Sequence, residues 1–205
     1  MYDIIIQGGT IIDPKTEQQT IANIGVKDGK IAVITRDEIS GKEVICAGGK
    51  IVCPGFVDIH SHLNYSLYAA WLSVKQGITT CLSGNCGITP KLPLKEYLDD
   101  LEAMGYPLNF ATLVGHSWTL REKVGLEEPY ATATPEQTAE MVKIAQKALE
   151  EGAFGVSLGL EYAPGANEAE ILPLVALAAK YDKLVPIHIR TDALDFAKGL
   201  REAIS

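Results

Sequence analysis

The sequence has no cluster of basic residues. Its 18 lysines and arginines are outnumbered by 26 aspartates and glutamates, which gives a formal net charge of −8. Proteins that bind nucleic acids neutralise phosphates with a patch of lysine and arginine, and anionic membrane surfaces attract the same kind of patch. We therefore expect no nucleic-acid partner and no membrane partner.

Signals for export and for membrane insertion are missing as well. Met1-Tyr2-Asp3 leads straight into a short apolar strand, without the basic region, long apolar stretch and small-residue cleavage site of a signal peptide. Charged residues or glycine interrupt every apolar run before it reaches the roughly 18 residues that a membrane-spanning helix needs. These patterns predict a soluble protein in the cytoplasm.

Cysteine is scarce and irregularly spaced, with four residues at positions 46, 53, 81 and 86. Without an export signal, reduced thiols are expected rather than a disulfide framework. Cys46, Cys53 and Cys81 have no neighbouring ligand-type residues in a recognisable pattern. We interpret these three as small buried hydrophobes.

What the sequence does contain is an ordinary globular composition, with 47% hydrophobic and 21% charged residues. Residues 1–50 show short apolar runs separated by tight turns. The sequence Asp28-Gly29 between two such runs predicts a β-hairpin, because both residues tolerate the positive φ that the turn requires. A small β-domain is therefore expected over residues 1–50.

Residues 51–205 alternate short apolar runs with helical stretches, which is typical of βα units around a parallel sheet. Five strands are predicted, at 51–59, 78–83, 108–115, 153–158 and 184–189. Helices are predicted from Thr134-Pro135 to Gly152, over 167–180 and from about Asp192. A closed (β/α)₈ barrel needs eight such units in typically about 250 residues. The chain is therefore expected to hold about five βα units of a barrel that it does not close.

The first of these strands is followed by two histidines in the run PGFVDIHSH at 54–62. Residues two apart in a strand project to the same side, so the imidazoles of His60 and His62 can reach one metal ion. Zinc is the natural metal for imidazole ligands. Taken alone, the motif favours two hydrogen-bonded histidines at the exit of a strand over a pair of metal ligands.

A β-rich opening followed by this run resembles the amidohydrolase superfamily. The second strand ends in Gly84-Asn85-Cys86-Gly87, which resembles the D-aminoacylase (N-acyl-D-amino-acid deacylase) branch, where the cysteine is a metal ligand. Other branches carry a carboxylated lysine on the fourth strand, but the stretch 153–162 contains no lysine. The resemblance implies an α/β fold, an incomplete (β/α)₈ TIM-type barrel preceded by a small β-sandwich domain.

The same resemblance implies a metal site of His60, His62, Cys86 and His188, holding one or two Zn²⁺ ions. His60 and His62 are expected at one metal position, and Cys86 and His188 at the other. His188 lies at the C-terminal end of the fifth predicted strand, one residue before its last, and the C-terminal ends of barrel strands are where catalytic groups collect.

Three further residues are candidates for contacting a small-molecule substrate. Tyr162 would offer a hydroxyl to a polar substrate, or would pack over the barrel rim. Arg190 would bind a carboxylate bidentately, or would form an internal ion pair with Asp192 or Glu161. His116 directly follows the third predicted strand, where contact with substrate and a structural hydrogen bond are both open.

The activity that the resemblance implies is cleavage of the amide bond of N-acyl-D-amino acids through metal-activated water. The family's general base, an aspartate, is expected beyond Ser205, so the 205-residue chain alone is predicted to be inactive. Two alternatives remain at this point. One is hydrolysis of cyclic amides, as in dihydroorotase and hydantoinase relatives. The other is a non-catalytic remnant or interaction subunit, whose open sheet self-associates or is covered by a missing C-terminal half.

Overall fold

The computed structural model describes every residue from Met1 to Ser205 and divides the chain into two units, Met1–Gly55 and Phe56–Ser205. The sequence pattern places this boundary between residues 50 and 51. No helix has both the length and the apolar character needed to cross a membrane.

The first unit is a single five-stranded sheet. Its strands are β1 (Tyr2–Asp13), β2 (Gln18–Lys27), β3 (Lys30–Thr35), β4 (Gly41–Cys46) and β5 (Ile51–Val52). They run in the order β3-β2-β1-β4, with β5 also paired to β1. β2 is antiparallel to β1 and β3, whereas β4 and β5 run parallel to β1. The second, facing sheet that a β-sandwich requires is not formed by these residues.

The turn between β2 and β3 confirms the predicted hairpin. Lys27 pairs with Lys30 across a two-residue connection. Asp28 has φ 51° and Gly29 has φ 73°, so both central residues adopt the left-handed conformation. Two successive positive φ values give the turn a twist that matches the right-handed twist of the flanking strands.

The second unit carries the parallel strands, β6 (Phe56–Asp58), β7 (Ile78–Ser83), β8 (Asn109–Thr112), β9 (Val114–Gly115), β10 (Val156–Gly159) and β11 (Ile187–His188). They form two three-stranded parallel sheets, β6-β7-β8 and β9-β10-β11. Leu113 alone separates β8 from β9, so the predicted strand 108–115 contributes to both sheets. The strands thus follow each other in chain order, and the barrel is not closed.

The predicted strand 51–59 is wrong as one element. Ile51 and Val52 belong to β5, whereas Phe56–Asp58 form β6 and pair with β7. Pro54, which has no backbone N–H to donate to a strand ladder, lies between them. Residues 51–59 are mostly apolar and were predicted as one strand, but the hydrogen-bonding partner changes at Pro54-Gly55.

Helices follow the parallel strands, as the alternating pattern predicts. They are α1 (Leu67–Lys75), α2 (Leu94–Ala103), a π-helix (His116–Leu120) continuing into α3 (Arg121–Lys123), α4 (Pro135–Glu150), α5 (Glu168–Lys180) and α6 (Phe196–Ile204). α4 starts at Pro135 as expected, and α5 lies one residue inside its predicted range at the start. The start of α6 was predicted near Asp192, and the helix begins four residues later, at Phe196.

The main hydrophobic core packs α4 and α5 against β9 and β10. Met141, Ala145, Ala148 and Leu149 are buried on one face of α4, and Ile144 is partly buried beside them. Two of the cysteine predictions are wrong, because Cys46 and Cys53 are exposed and Cys81 alone of those three is buried. Cys46 ends β4, which lies at the edge of its sheet, and an edge strand leaves its last side chains open to solvent.

Candidate metal centre

The candidate ligands follow the C-terminal ends of neighbouring parallel strands. His60 comes two residues after β6, Cys86 three residues after β7, and Glu161 two residues after β10, while His188 is the last residue of β11. Because the strands of both three-stranded sheets are parallel, their C-terminal ends lie on the same side. Side chains far apart in the sequence are thereby brought together.

The two histidines of the His-x-His motif lie just outside the strand that positions them. β6 ends at Asp58, whose Oδ1 accepts a hydrogen bond of 3.1 Å from the backbone N–H of His60. The two imidazole rings are 5.4 Å apart between centroids, with 63° between their planes. The two side chains lie close together even though neither residue is in the strand, so the alternation of side chains along a strand is not what brings them together.

Cys86 lies in a tight loop after β7, and its backbone is in the left-handed conformation at φ 56°. The flanking Gly84 and Gly87 also have positive φ, at 80° and 77°. The Ser157 hydroxyl on β10 donates to the carbonyl of Gly84 and accepts a 3.0 Å hydrogen bond from the N–H of Gly87. A non-glycine residue in this conformation stores strain, which the surrounding hydrogen bonds hold in place.

The thiol of Cys86 lies between two imidazoles. Its Sγ is 3.4 Å from Nε2 of His60 and 3.5 Å from Nδ1 of His188. Around a tetrahedral zinc ion, bonds of about 2.1 Å to nitrogen and 2.3 Å to sulfur place these two donor atoms about 3.6 Å apart. Both separations therefore match the geometry that a shared zinc ion would require.

The donor atoms of His60, His62 and Cys86 form one compact group, in which all of them lie within 4.8 Å of one another. Cys86 thus contacts both the His60 side of the site and His188, whereas the sequence assigned it to one metal position with His188. A thiolate at this place can serve either position.

The protonation of two ligands depends on their surroundings. Burial raises the pKa of the Cys86 thiol above its ordinary value. Burial also lowers the pKa of His62, and the charge of neighbouring His60 lowers it further. A metal ligand must be a neutral imidazole or a thiolate, so metal binding would release a proton from Cys86.

Sequence reasoning missed a second group of donor atoms, formed by Glu161, His188 and Asp192 within the same 4.8 Å. Nε2 of His188 is 2.7 Å from Oε2 of Glu161 and 3.8 Å from Oδ2 of Asp192. Glu161 follows the end of β10 and Asp192 follows the end of β11. Their positions just after strand ends are the sequence signal that could have identified them as candidate ligands. The sequence considered them as partners of Arg190 alone.

Tyr162 lies at this site, where the sequence predicted a substrate contact. Its half-buried ring packs edge-on against His188, with 4.9 Å between centroids and 65° between planes. Trp118 lies on its other side at 5.9 Å. The ring therefore holds His188 in place and also lines the site.

Comparison with known proteins agrees with this fold. Residues 51–205 match the sequence profile of the Amidohydrolase family. The chain belongs to this family. An alignment 229 residues long joins it to a D-aminoacylase from Alcaligenes xylosoxydans xylosoxydans at 31% identity. The alignment covers 98% of this chain and 47% of that protein.

Two further relatives are similar over nearly all of the chain. An N-acyl-D-glutamate deacylase from the same organism is 33% identical over 93% of this chain and 44% of its own length. The solved structure of N-acyl-D-glutamate deacylase from Bordetella bronchiseptica, complexed with zinc and a phosphonate mimic of the tetrahedral intermediate, superposes with a TM-score of 0.90 at 33% identity. That superposition covers 99% of this chain and 48% of the deacylase. The chain spans about half the length of the relatives it matches.

Arg190 is not free to bind a substrate carboxylate. Its Nε donates to both carboxylate oxygens of Glu202 at 3.0 Å, and one terminal nitrogen lies 2.7 Å from the same group. The terminal nitrogens also donate to the carbonyls of Pro164 and Ala166, both at 2.9 Å. The internal ion pair does form, but with Glu202 on α6 and not with Asp192 or Glu161.

Of the two interpretations of His116, the structure favours the structural hydrogen bond over contact with substrate, because the side chain is completely buried. Its Nε2 is 2.8 Å from Oε1 of Glu170, which also pairs with the guanidinium of Arg121. Its Nδ1 is 3.1 Å from the hydroxyl of Ser117. The chain turns into the π-helix directly at His116, and this turn directs the imidazole inward to Glu170 on α5 instead of toward the strand ends.

Proposed function

We propose that the protein is a zinc-dependent hydrolase that cleaves the amide bond of N-acyl-D-amino acids. The observation that carries the proposal is the position of the Cys86 thiol, 3.4 Å from His60 and 3.5 Å from His188 at the ends of three parallel strands. The relatives that match nearly the whole chain are named D-aminoacylase and N-acyl-D-glutamate deacylase. The substrate would be a small molecule.

His60, His62, Cys86 and His188 would hold one or two zinc ions. When bound there, zinc supplies Lewis-acid activation of the amide carbonyl and of the water that attacks it. The imidazoles and the thiolate fix the position of the metal. The ring of Tyr162 covers His188, and its hydroxyl is offered to the polar end of a substrate. The general base is predicted to be an aspartate outside these 205 residues.

We also propose that the five βα units are part of an eight-stranded (β/α)₈ barrel and that residues 1–50 are part of a small β-sandwich domain. Solved amidohydrolases superpose on nearly all of the chain with TM-scores up to 0.90. The parallel strand pairs leave β6 and β11 each with a single partner. Those two edges are where further barrel strands would join, from the same protein or from a second copy.

Hydrolysis of cyclic amides is the nearest alternative. In the branches that use it, as the family resemblance implies, a carboxylated lysine bridges the metals from the fourth strand. The stretch 153–162, which includes β10, has no lysine, and the Cys86 thiol lies between the histidines instead. This difference favours deacylation.

The test combines metal analysis with an assay on N-acetyl-D-amino acids, using the protein together with whatever sequence follows Ser205 in its reading frame. We expect bound zinc and D-selective release of acetate. Cys86→Ala should lose most of the zinc and at least about 100-fold in kcat/KM, because the Lewis-acid activation of the carbonyl and of the water is lost together with the metal. Cys46→Ala removes an exposed thiol that is not among the candidate ligands and is the matched control.

Three results would change the conclusion. Turnover of hydantoins without turnover of N-acyl-D-amino acids would establish the cyclic-amide alternative. Zinc retention that is unaffected by Cys86→Ala would remove the cysteine from the metal centre. A protein whose measured mass ends at Ser205, and which neither binds zinc nor hydrolyses amides, would be a non-catalytic remnant.

A further inference from the structure

Both ring nitrogens of His188 have a partner, and the two partners differ in kind. Nδ1 is 3.5 Å from the Cys86 thiol, on the side of the candidate metal. Nε2 is 2.7 Å from Oε2 of Glu161, on the opposite side of the ring. The imidazole is thus held between a soft ligand and a carboxylate.

The distance to Glu161 distinguishes a hydrogen bond from shared metal binding. Two donor atoms that each bind one cation at about 2.1 Å lie about 3.0 Å or more apart, because the angle between them is about 90° or larger. A charge-assisted N–H···O hydrogen bond has a length of about 2.7–2.9 Å. The observed 2.7 Å is therefore the length of a direct hydrogen bond.

We propose that Glu161 is a positioning residue for His188: its carboxylate accepts the Nε2–H and thereby fixes the tautomer whose Nδ1 lone pair faces Cys86 and would be free to bind the metal. The proposal deepens the proposed metal centre and rests on it. A carboxylate that accepts the remote N–H of a ligating histidine sets the orientation of the ring and raises its basicity as a ligand.

The surroundings of Glu161 support this role over a general surface charge. Its carboxylate has no lysine or arginine within ion-pairing distance, since Arg190 is occupied by Glu202. Asp192, the other nearby acid, is 3.8 Å from Nε2 of His188, which is too far for a hydrogen bond. His188 is therefore the one basic partner of the Glu161 side chain.

The backbone keeps the pair in register. The N–H of Leu160 donates to the carbonyl of His188 at 2.9 Å, and Gly159 pairs with His188 between β10 and β11. Glu161 is the second residue beyond Gly159, so the end of β10 places its carboxylate beside the imidazole. Tyr162 packs on the ring of His188 and restricts its rotation.

The first test needs neither metal nor substrate. Nitrogen-15 NMR of histidine-labelled, metal-free protein reports which ring nitrogen of His188 carries the proton, with the four histidines assigned by single substitutions. We expect the Nε2–H tautomer in the wild type and in Glu161→Gln, whose amide oxygen still accepts the bond. Glu161→Ala should give a mixture of both tautomers. An unchanged tautomer in Glu161→Ala would overturn the proposal.

The second test measures zinc affinity by competition with a chelator. Removal of a carboxylate that orients a metal-binding histidine typically costs 10–100-fold in metal affinity. We expect a loss of that size for Glu161→Ala, a smaller loss for Glu161→Gln, and none for the matched control Glu168→Gln at the exposed start of α5. If Asp192→Asn weakens zinc binding as much as Glu161→Ala does, the two acids are themselves ligands and the proposal fails.

Failure of the positioning role and failure of the proposed function give different results. A protein with a Glu161-dependent tautomer but no hydrolysis of N-acyl-D-amino acids would retain the positioning role and lose the deacylase assignment. If the protein is a deacylase but its His188 tautomer and zinc affinity do not change when Glu161 is substituted, the deacylase assignment is retained and the positioning role is lost. The exposed side chain of Glu161 makes unfolding of these variants a minor risk, which thermal melting would check.

Discussion

Gly159 lies beneath the Cys86 loop at the end of β10, and the loop depends on its missing side chain. A Cβ at this position would lie 2.4 Å from the carbonyl oxygen of Cys86. The backbone of Gly159 does not need a positive φ, so the objection to a larger residue is purely steric. The loop can keep its present place against β10 with glycine alone.

We therefore expect Gly159→Ala to displace the Cys86 loop. Overpacking of this kind costs about 1–3 kcal/mol in the free energy of unfolding. Displacement of the thiol should also weaken zinc binding roughly tenfold, the low end of what disturbed ligand support costs. Urea unfolding and chelator competition measure the two effects.

Gly48→Ala is the matched control for this substitution. Nothing lies within 4 Å of a Cβ at Gly48, and its backbone is outside the left-handed region. This variant should be neutral in both measurements. Unchanged zinc affinity in Gly159→Ala, despite a loss of stability, would show that Cys86 does not depend on the contact with β10.

Glu170 is a buried carboxylate whose partners neutralise the cost of its burial. Its Oε1 is shared by Nε2 of His116 and the guanidinium of Arg121, and its Oε2 accepts from the N–H of Ala133 at 3.3 Å. Arg121 also donates to the carbonyl of Ala131 at 2.7 Å. The group ties the π-helix to α5 and to the segment that precedes α4.

Removing the charge of Glu170 should destabilise the protein strongly. Glu170→Gln leaves the buried guanidinium of Arg121 without its counter-charge, and breaking a buried ion pair typically costs about 3–5 kcal/mol. Denaturant unfolding at neutral pH measures this loss. Glu168→Gln, on the exposed side of the same helix turn, should change stability by no more than about 0.5 kcal/mol. Equal losses in the two variants would contradict the role of the buried group.

The contribution of Glu170 should also depend on pH in a defined direction. Burial raises the pKa of its carboxyl, but the hydrogen bonds and charges of His116 and Arg121 outweigh burial and bring the pKa below its ordinary value. The stabilisation is then fully present above the unfolded pKa of about 4.3 and is lost as the pH falls through the lower folded pKa. The stability difference between wild type and Glu170→Gln should therefore shrink below about pH 4. A difference that stays constant down to pH 3 would contradict this linkage.

At the scale of elements, α4 is the helix whose ends follow most directly from local sequence. The Thr134 hydroxyl accepts from the N–H of Gln137 at 3.2 Å, and the Gln137 side chain accepts from the N–H of Thr134 at 3.0 Å. This reciprocal capping box satisfies two N–H groups that the helix itself leaves without partners. Pro135 in the first turn adds a residue already fixed in helical φ.

Thr134→Ala should cost about 1 kcal/mol in the free energy of unfolding, the usual loss for an N-cap. Thr134→Ser keeps a hydroxyl at the same place and should stay within a few tenths of a kcal/mol of the wild type. Urea unfolding of the three proteins checks both values. A Thr134→Ser variant as unstable as Thr134→Ala would show that the methyl group, and not the capping hydroxyl, provides the stability.

Features encoded by local sequence were predictable, such as the hairpin at Asp28-Gly29 and the start of α4 at Pro135. The hydrogen-bonding partner of a strand was not, because pairing is a long-range choice. The apolar run 51–59 has one pattern but pairs first with β1 and then with β7. Pro54 marks where the strand breaks, but propensity and periodicity do not say which strand each half pairs with.

The same limit applies to the candidate site. The spacing of His60 and His62 predicted a pair of ligands, whereas the resemblance to a known family added Cys86 and His188. All four follow or end parallel strands, and parallel strands bring such positions together. The partners of His116 and Arg190 were missed because Glu170 and Glu202 lie on helices, 54 and 12 residues away in the sequence. Which carboxylate neutralises a buried cation depends on how the helices pack, and helix packing is not visible in the chain order.

At the scale of the whole molecule, net charge and exposed apolar surface act in opposite directions on association. The formal charge of −8 makes copies of the chain repel one another. Against this, α6 exposes Phe196, Leu200 and Ile204 at intervals of four residues, with Ile204 75% exposed. Residues four apart lie on one face of a helix, so these side chains form an apolar stripe. Contiguous apolar surface of this kind promotes contact between proteins, whereas isolated exposed side chains do not.

We expect the 205-residue chain to associate reversibly and to do so more strongly as salt increases. Raising the ionic strength from about 0.01 M to 1 M shortens the screening length from about 30 Å to 3 Å, which removes the repulsion but leaves the apolar attraction. Sedimentation velocity should show a larger mean mass at high salt. Leu200→Lys with Ile204→Lys should keep the chain monomeric at both salt concentrations, while Tyr130→Lys, at an exposed aromatic outside α6, should associate like the wild type. Association that is insensitive to the α6 substitutions would place the contact elsewhere, with the exposed strand edges of β6 and β11 as the next surfaces to alter.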